Sequence, residues 1–300
     1  MFPFESFIFG KNPNFMQTRF LKFFLFILLF SNCTVNYGQL KAVGTLSGDL
    51  EEVSGMENIP NSDDFWMIND GGNDPKVFIV NKEGKITKTL NVQAKNKDWE
   101  DLTKDKAGNL YIGDFGNNRN NRKHQNIYKL SASNLSSKKN IDPIKIEFSF
   151  PNQKKYPPKK KDRHFDVESF FHHNGYLYLF TKSRSKKDYG RTDLYKIPAT
   201  EGKYEAQFIS TFNTCDDMNC WITSAAISPN GKKVVLLSHE TVWQFTDFKG
   251  DDFLSGKMTK FDLKHESQKE GICFKDNNTV YITDEEAHGK GRNLYVFLLD

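Results

Sequence analysis

The sequence predicts an all-β protein folded as a single β-propeller, and three observations carry that expectation. Beyond residue 41 there is almost no helical periodicity; short apolar or alternating runs recur between Gly, Asn, Asp and Pro turns. These runs follow one order, repeated five times. The last copy also lacks a fourth strand, while a strand-like stretch before the first copy has no partner. Five four-stranded blades fit the spacing, and six are the alternative if the segment 131–163 hides a degenerate unit.

The repeated order is specific. Each unit opens on a short lead, VSGM at 53–56, WEDL at 99–102, VESF at 167–170, SAAI at 224–227 and KEGI at 269–272. A tight turn leads to FWMIND at 65–70, LYIGD at 110–114, LYLFT at 177–181, VVLLS at 234–238 and VYITD at 280–284. A polar loop then leads to VFIV at 77–80, IYKL at 127–130, LYKI at 194–197, VWQF at 242–245 and LYVF at 294–297. Fourth strands are expected over 86–92, 143–150, 205–212 and 257–263. The fifth copy has none, and Lys41–Leu46 has no partner, so pairing the two ends closes the ring. One such sheet cannot bury both its faces, whereas copies stacked radially can.

Composition narrows the function. The 300 residues are 37% hydrophobic and 27% charged, with ten Pro and twenty Gly, which excludes a low-complexity chain. A net charge of +4, part of it in the first 38 residues, is too small for a nucleic-acid binder, and a monomer is expected. One apolar run, FFLFILLF at 23–30, follows Arg19 and Lys22. It is too short to span a bilayer and reads as the core of a signal peptide over 1–38, with Met16 as an alternative start. A retained membrane anchor is the competing reading. Cleavage near Gly38–Gln39 or lipid attachment at Cys33 would deliver residues 41–300 to the periplasm, the outer membrane or the exterior, with no transmembrane domain in the mature chain. Export permits disulfides, and Cys215 and Cys220 form the one local pair; Cys273 reads as a buried hydrophobe.

In an antiparallel meander, the approach to the innermost strand and the loop between second and third strands share one face. The opposite face receives plain turns, among them HHNG at 172–175, so His172 and His173 read as solvated; His164 is no stronger a candidate. The richer face receives Asp98, Glu100, Glu168 and Glu270 at the entrances to inner strands, with Asp114 and Asp284 ending second strands. Glu100, Glu168 and Glu270, with Lys182, are the candidate catalytic groups. Asp98, Glu100, Asp114, Glu168, Glu270 and Asp284 are the candidate metal ligands. Converging carboxylates need a cation, a basic side chain or a raised pKa to offset them, and oxygen ligands suit Ca2+. Structural hydrogen bonds are the competing role.

Asn117, Arg119, Trp99, His239 and Arg292 are the candidate ligand contacts. Asn also suits αL turns, and Trp99 could equally wedge between blades. Trp66, Trp221 and Trp243 read as packing residues, and the basic run 154–163 as a solvated insertion. No GxSxG, HExxH or phosphate-cradling loop is present.

The ordered set NDGGNDPKVFIVNKEG at 69–84, DWEDL at 98–102, LYIGDFGNNRNNR at 110–122, FDVESFF at 165–171, LYLFTK at 177–182, TSAAISPNGKKVVLLSHE at 223–240 and QKEGICF at 268–274 resembles a largely uncharacterised family of exported bacterial β-propellers. It is also distantly similar to the SdiA-regulated and phytase-like propeller groups. Asn117 stands where that family often has a second acid, and Ser224 and Ala225 where three other copies place Glu. Two functions follow as expectations. One is an exported binding or scaffold protein for a carbohydrate, phosphoester or envelope component. The alternative is a calcium-dependent hydrolase of phosphoesters or lactones, with Lys182, Arg119 or Arg292 stabilising developing negative charge.

Overall fold

The computed structural model describes residues 3, 36–215 and 217–299. The leader expected over 1–38, with Met16 and Cys33, falls almost wholly outside the described residues. The first strand, β1 (Lys41–Thr45), joins the last blade; blade 1 follows as β2 (Val53–Asn58), β3 (Phe65–Asn69), β4 (Lys76–Val80) and β5 (Ile86–Val92). Blade 2 is β6 (Trp99–Lys104), β7 (Leu110–Asp114), β8 (Gln125–Leu130) and, after helix α1 (Ala132–Ser137) and β9 (Asn140–Ile141), β10 (Ile144–Ser149).

Blade 3 is β11 (Asp166–His173), β12 (Tyr176–Lys182), β13 (Arg191–Pro198) and, after the short β14 (Gly202–Glu205), the outer strand β15 (Gln207–Asn213). Blade 4 is β16 (Ser224–Ile227), β17 (Lys233–Leu237), β18 (Thr241–Thr246) and β19 (Lys257–Asp262). Blade 5 is β20 (Lys269–Phe274), β21 (Thr279–Asp284), β22 (Asn293–Leu298) and the returning β1. Lys41 pairs with Val296 and Thr45 with Asn293, so the first strand closes the ring.

The fold is therefore five blades, and segment 131–163 hides no sixth. Part of that insertion, β9, extends the outer edge of blade 1 in parallel, and β14 does the same for blade 2. Both cover backbone groups that an outer strand would otherwise leave open to edge pairing.

The core lies between blades. Five apolar clusters sit one at each junction; the cluster between blades 1 and 2 joins Ile68, Val77 and Leu90 to Trp99, Ile112 and Tyr128. Radial stacking thus buries both faces of every sheet. Inner strands pack in sequence, and β20 returns against β2. Cys215 and Cys220 are disulfide-bonded, while Cys273 is buried and free. Among the described residues, no helix is long and apolar enough to cross a membrane.

Candidate functional site

The amino-terminal ends of the inner strands, here the upper end of the axis, are shaped by four β-bulges. In β6, Trp99 pairs with Asp114 and Asp101 with Gly113, leaving Glu100 unmatched. The same irregularity leaves Glu168 unmatched in β11, Glu270 in β20 and Ser54 in β2. A bulge sets two residues against one, turning the extra side chain off the regular pleat. The three glutamates therefore occupy one structural level. Blade 4 pairs without a bulge from Ser224–Leu237 onward, and the Thr223 amide bonds the Leu237 carbonyl. Thr223, rather than Ser224 or Ala225, stands level with the glutamates.

Glu100 forms the centre of an acidic cluster. One carboxylate oxygen from each of Asp70, Asp98 and Glu100 lies within 4.8 Å of the others. Asp70 follows the end of β3, and Asp98 precedes β6. The backbone of Gly116 presses on this group: a Cβ there would fall 2.0 Å from Glu100 Oε1 and 2.5 Å from Asp98 Cγ. Glycine is required by that approach. Glu100 is only 9% exposed, yet its carboxylate accepts no hydrogen bond among the described residues.

Electrostatics follow from this crowding. Burial, then Glu168 and Asp70, push the Glu100 carboxyl well above its ordinary range. Burial and Glu168 likewise raise Asp98. Asp70 is pushed up to about 7, chiefly by burial, with Asp98, Glu168 and Glu270 adding to it. Glu285, whose Oε1 accepts from Gln268 Nε2 at 2.5 Å, rises to about 8 through burial and the nearby Glu270 and Asp70.

Beside this cluster the charges are paired. Lys182 Nζ lies 2.6 Å from Glu168 Oε2, and Arg184 Nη2 lies 2.9 Å from Glu168 Oε1. Arg184 also bonds Asp166 through Nε. Burial pushes Glu168 upward, but Lys182 and Arg184 outweigh it and hold the carboxyl low. Burial and the charge on Glu168 raise its neighbour Asp166 instead. Trp221 covers both cations, its ring 5.2 Å from Lys182 Nζ and 4.9 Å from Arg184 Cζ. The Cys215–Cys220 disulfide immediately precedes that tryptophan, so the cross-linked loop carries the cover.

The remaining expected residues divide. Asp114 is fully buried and accepts from the Asp98 amide at 3.1 Å, from Asn126 Nδ2 at 3.3 Å and from Tyr128 OH at 3.5 Å. Asp284 repeats the pattern, accepting from the Asn293 amide at 2.7 Å and from Tyr295 OH at 2.7 Å. Both aspartates thus tie second strands to third strands. Glu270 lies 3.8 Å from His239 Nε2, outside the Asp70–Asp98–Glu100 group.

Trp99 is fully buried 6.4 Å from the Tyr128 ring, a wedge between blades. Asn117 is also buried; its amide donates to Asp166 and its Nδ2 to the Phe165 carbonyl, binding blade 2 to blade 3. Asn120, at φ 53°, holds the αL position. Arg119 is exposed, and Arg292 is ion-paired to Glu286 at 2.6 Å on the rim.

Asp101 closes the axis one residue below Glu100. It is 1% exposed, and its Oδ2 accepts from the Phe170 amide at 3.2 Å and from Ser224 Oγ at 3.3 Å. Ser224 Oγ in turn accepts from the Ile272 amide at 3.2 Å. Since blades 2 and 4 are not neighbours, the Asp101–Ser224 bond crosses the axis. Burial is the main influence raising this carboxyl.

Sequence reasoning did not select Asp70, Asp101, Asp166, Arg184, Trp221 or Glu285. Asp70 and Glu285 each follow directly on a second strand that was correctly placed, and that position was the available signal.

No protein-family model matches the chain, and no curated protein matches it. Among solved structures, it is similar to the PQQ-bound aldose sugar dehydrogenase of Streptomyces coelicolor, at 11% identity and TM-score 0.51 over 87% of this chain and 98% of that one. It is also similar to a catalytically inactive virginiamycin B lyase of Staphylococcus aureus with quinupristin, at 14% identity and TM-score 0.41 over 82% of this chain. The chain spans 65% of that lyase's length. The dehydrogenase likeness is one of fold.

Proposed function

We propose that this chain is an exported β-propeller that binds a polar ligand at the upper end of its axis, with Ca2+ completing the site. One observation carries the reading: Glu100 is a buried carboxylate without a hydrogen-bond donor, facing two further acids. Three carboxylates this close repel, and a divalent cation would turn that repulsion into coordination. The donor set fits calcium, which takes six to eight oxygen ligands. Asp70, Asp98 and Glu100 would hold the ion, leaving positions for hydroxyl or phosphoryl oxygens of a carbohydrate, a phosphoester or an envelope component.

Export belongs to the same proposal, through a leader over 1–38 or a lipid at Cys33, and a disulfide on the surface loop fits an oxidising compartment. The hydrolase reading is favoured by a separate observation, the Lys182 and Arg184 cations beside the acids. In that role Lys182 and Arg184 would stabilise negative charge developing on a bound phosphoester or lactone.

Calcium titration of the purified mature chain tests the binding reading. A saturating excess is expected to stabilise the fold by about 2–3 kcal/mol, and Glu100→Gln is expected to remove that increment. An unchanged melting temperature on adding calcium would overturn it. Turnover of phosphoesters or lactones only with calcium present would select the hydrolase.

A further inference from the structure

Below Asp101, the inner strands and the turns that follow them line a cavity. Its volume is about 580 Å³, and all five blades contribute to its wall. This lies within the range of about 300–1,000 Å³ typical of small-molecule sites. The floor is apolar and buried, formed by Leu102, Ala225, Ala226, Ile272 and Phe274.

The rim is polar, and its acids are already committed. Glu57 Oε1 lies 2.9 Å from Lys104 Nζ. Asp105 accepts from Asn109 Nδ2 at 2.7 Å and from Tyr111 OH at 3.1 Å. The Lys106 ammonium is paired with no acid among the described residues, and it is exposed. His172 stacks on Tyr111 with centroids 5.5 Å apart, and His173 Nε2 lies 2.9 Å from Asn174 Nδ2. Burial holds both imidazoles below their ordinary range. An apolar floor beneath one uncommitted cation and two imidazoles, each able to donate through a ring N–H, complements an anion with a hydrophobic body.

We propose that this lower cavity is a second ligand site, for a small organic carboxylate. Its apolar body would rest on Leu102, Ala226, Ile272 and Phe274, and its head would lie between Lys106 and the His172–His173 pair. The proposal stands apart from the calcium reading, because Asp101 separates the two ends.

Calorimetric titration of the full mature chain with phenylbutyrate and with phenylbutyramide tests it. The carboxylate is expected to bind about tenfold tighter than the amide, the worth of one charge-assisted hydrogen bond. Lys106→Glu is expected to erase that preference. Ala226→Phe, which fills the floor, is expected to abolish binding of both. No binding of phenylbutyrate at about 1 mM, the weak end of the ordinary affinity scale, overturns the proposal, as does insensitivity to either variant. Lys106 is exposed, so its variant decides the matter should Ala226→Phe fail to fold.

Discussion

The two ends of the axis are built from the same five strands and treat charge in opposite ways. At the upper end, the β6 bulge sets Glu100 beside Asp70 and Asp98, and no cation among the described residues is ion-paired to these three; Lys182 and Arg184 are spent on Glu168 and Asp166. At the lower end, Glu57 and Asp105 each have partners, and the floor is hydrocarbon. The difference lies in strand regularity. Where β2, β6, β11 and β20 bulge, an extra polar side chain is turned out of the sheet. Once they regain register, Leu102, Ile272 and Phe274 pack normally. A propeller can thus keep a charged end because the rest of each strand is well buried.

Asp101 is the boundary between these regions, and removing it should have the largest effect. Asp101→Ala leaves the buried Leu102 and Phe170 amides and Ser224 Oγ without their acceptor. A loss of roughly 3 kcal/mol is expected, from penalties of about 1–3 kcal/mol per stranded group. Urea denaturation would measure it. Asp101→Asn keeps one acceptor oxygen but turns an amide NH2 toward a backbone N–H, because Oδ1 accepts from the Leu102 amide and Oδ2 from the Phe170 amide, so it should recover only part of the loss. Equal stability of the alanine variant and the parent would remove the barrier between the two ends.

A pH series sharpens the contrast at the upper end. Glu285 titrates at about 8 in the folded chain against an ordinary value of 4.5. Between those values the folded state binds the proton that the unfolded state has released, so stability falls as pH rises. In chelator, Glu285→Gln should therefore match the parent near pH 5 and become the more stable protein at about pH 8.5. A difference that is flat with pH would mean that Glu285 lies outside the repulsive cluster. The half-buried His172 and His173 carry the opposite slope: held low in the fold, they add stability as pH rises through the ordinary histidine range. Comparing variant with parent cancels that contribution.

The propeller was legible because its signal is repetition. Five leads and five aromatic-aliphatic strands sit in fixed order, and even the fourth strand at 86–92 matches β5. The level shared by Glu100, Glu168 and Glu270 was also readable, since each stands second in its lead. Which acids meet was not. A bulge leaves no composition signature, so the sequence could not show that Asp70 approaches Glu100 while Glu270 turns toward His239. Thr223 was hidden for the same reason: blade 4 alone pairs straight through, shifting its register by one residue. Trp221 was read as packing because its partners come from β12 and the loop after it, distant in sequence.

Asp114 and Asp284 offer the smallest and cleanest test of how structural and ligand-facing acids differ. Each closes its second strand, and each accepts from a tyrosine on the third, Tyr128 at 3.5 Å and Tyr295 at 2.7 Å. The longer contact is a weak hydrogen bond, and the shorter one is well formed. Tyr295→Phe should therefore destabilise by about 1 kcal/mol, the usual worth of a net hydrogen bond, and Tyr128→Phe by less. Both variants should retain the full calcium increment, because neither tyrosine touches Asp70, Asp98 or Glu100. Loss of that increment in Tyr295→Phe would carry Asp284 from the structural group into the ion site, and the division between the two kinds of acid would have to be redrawn.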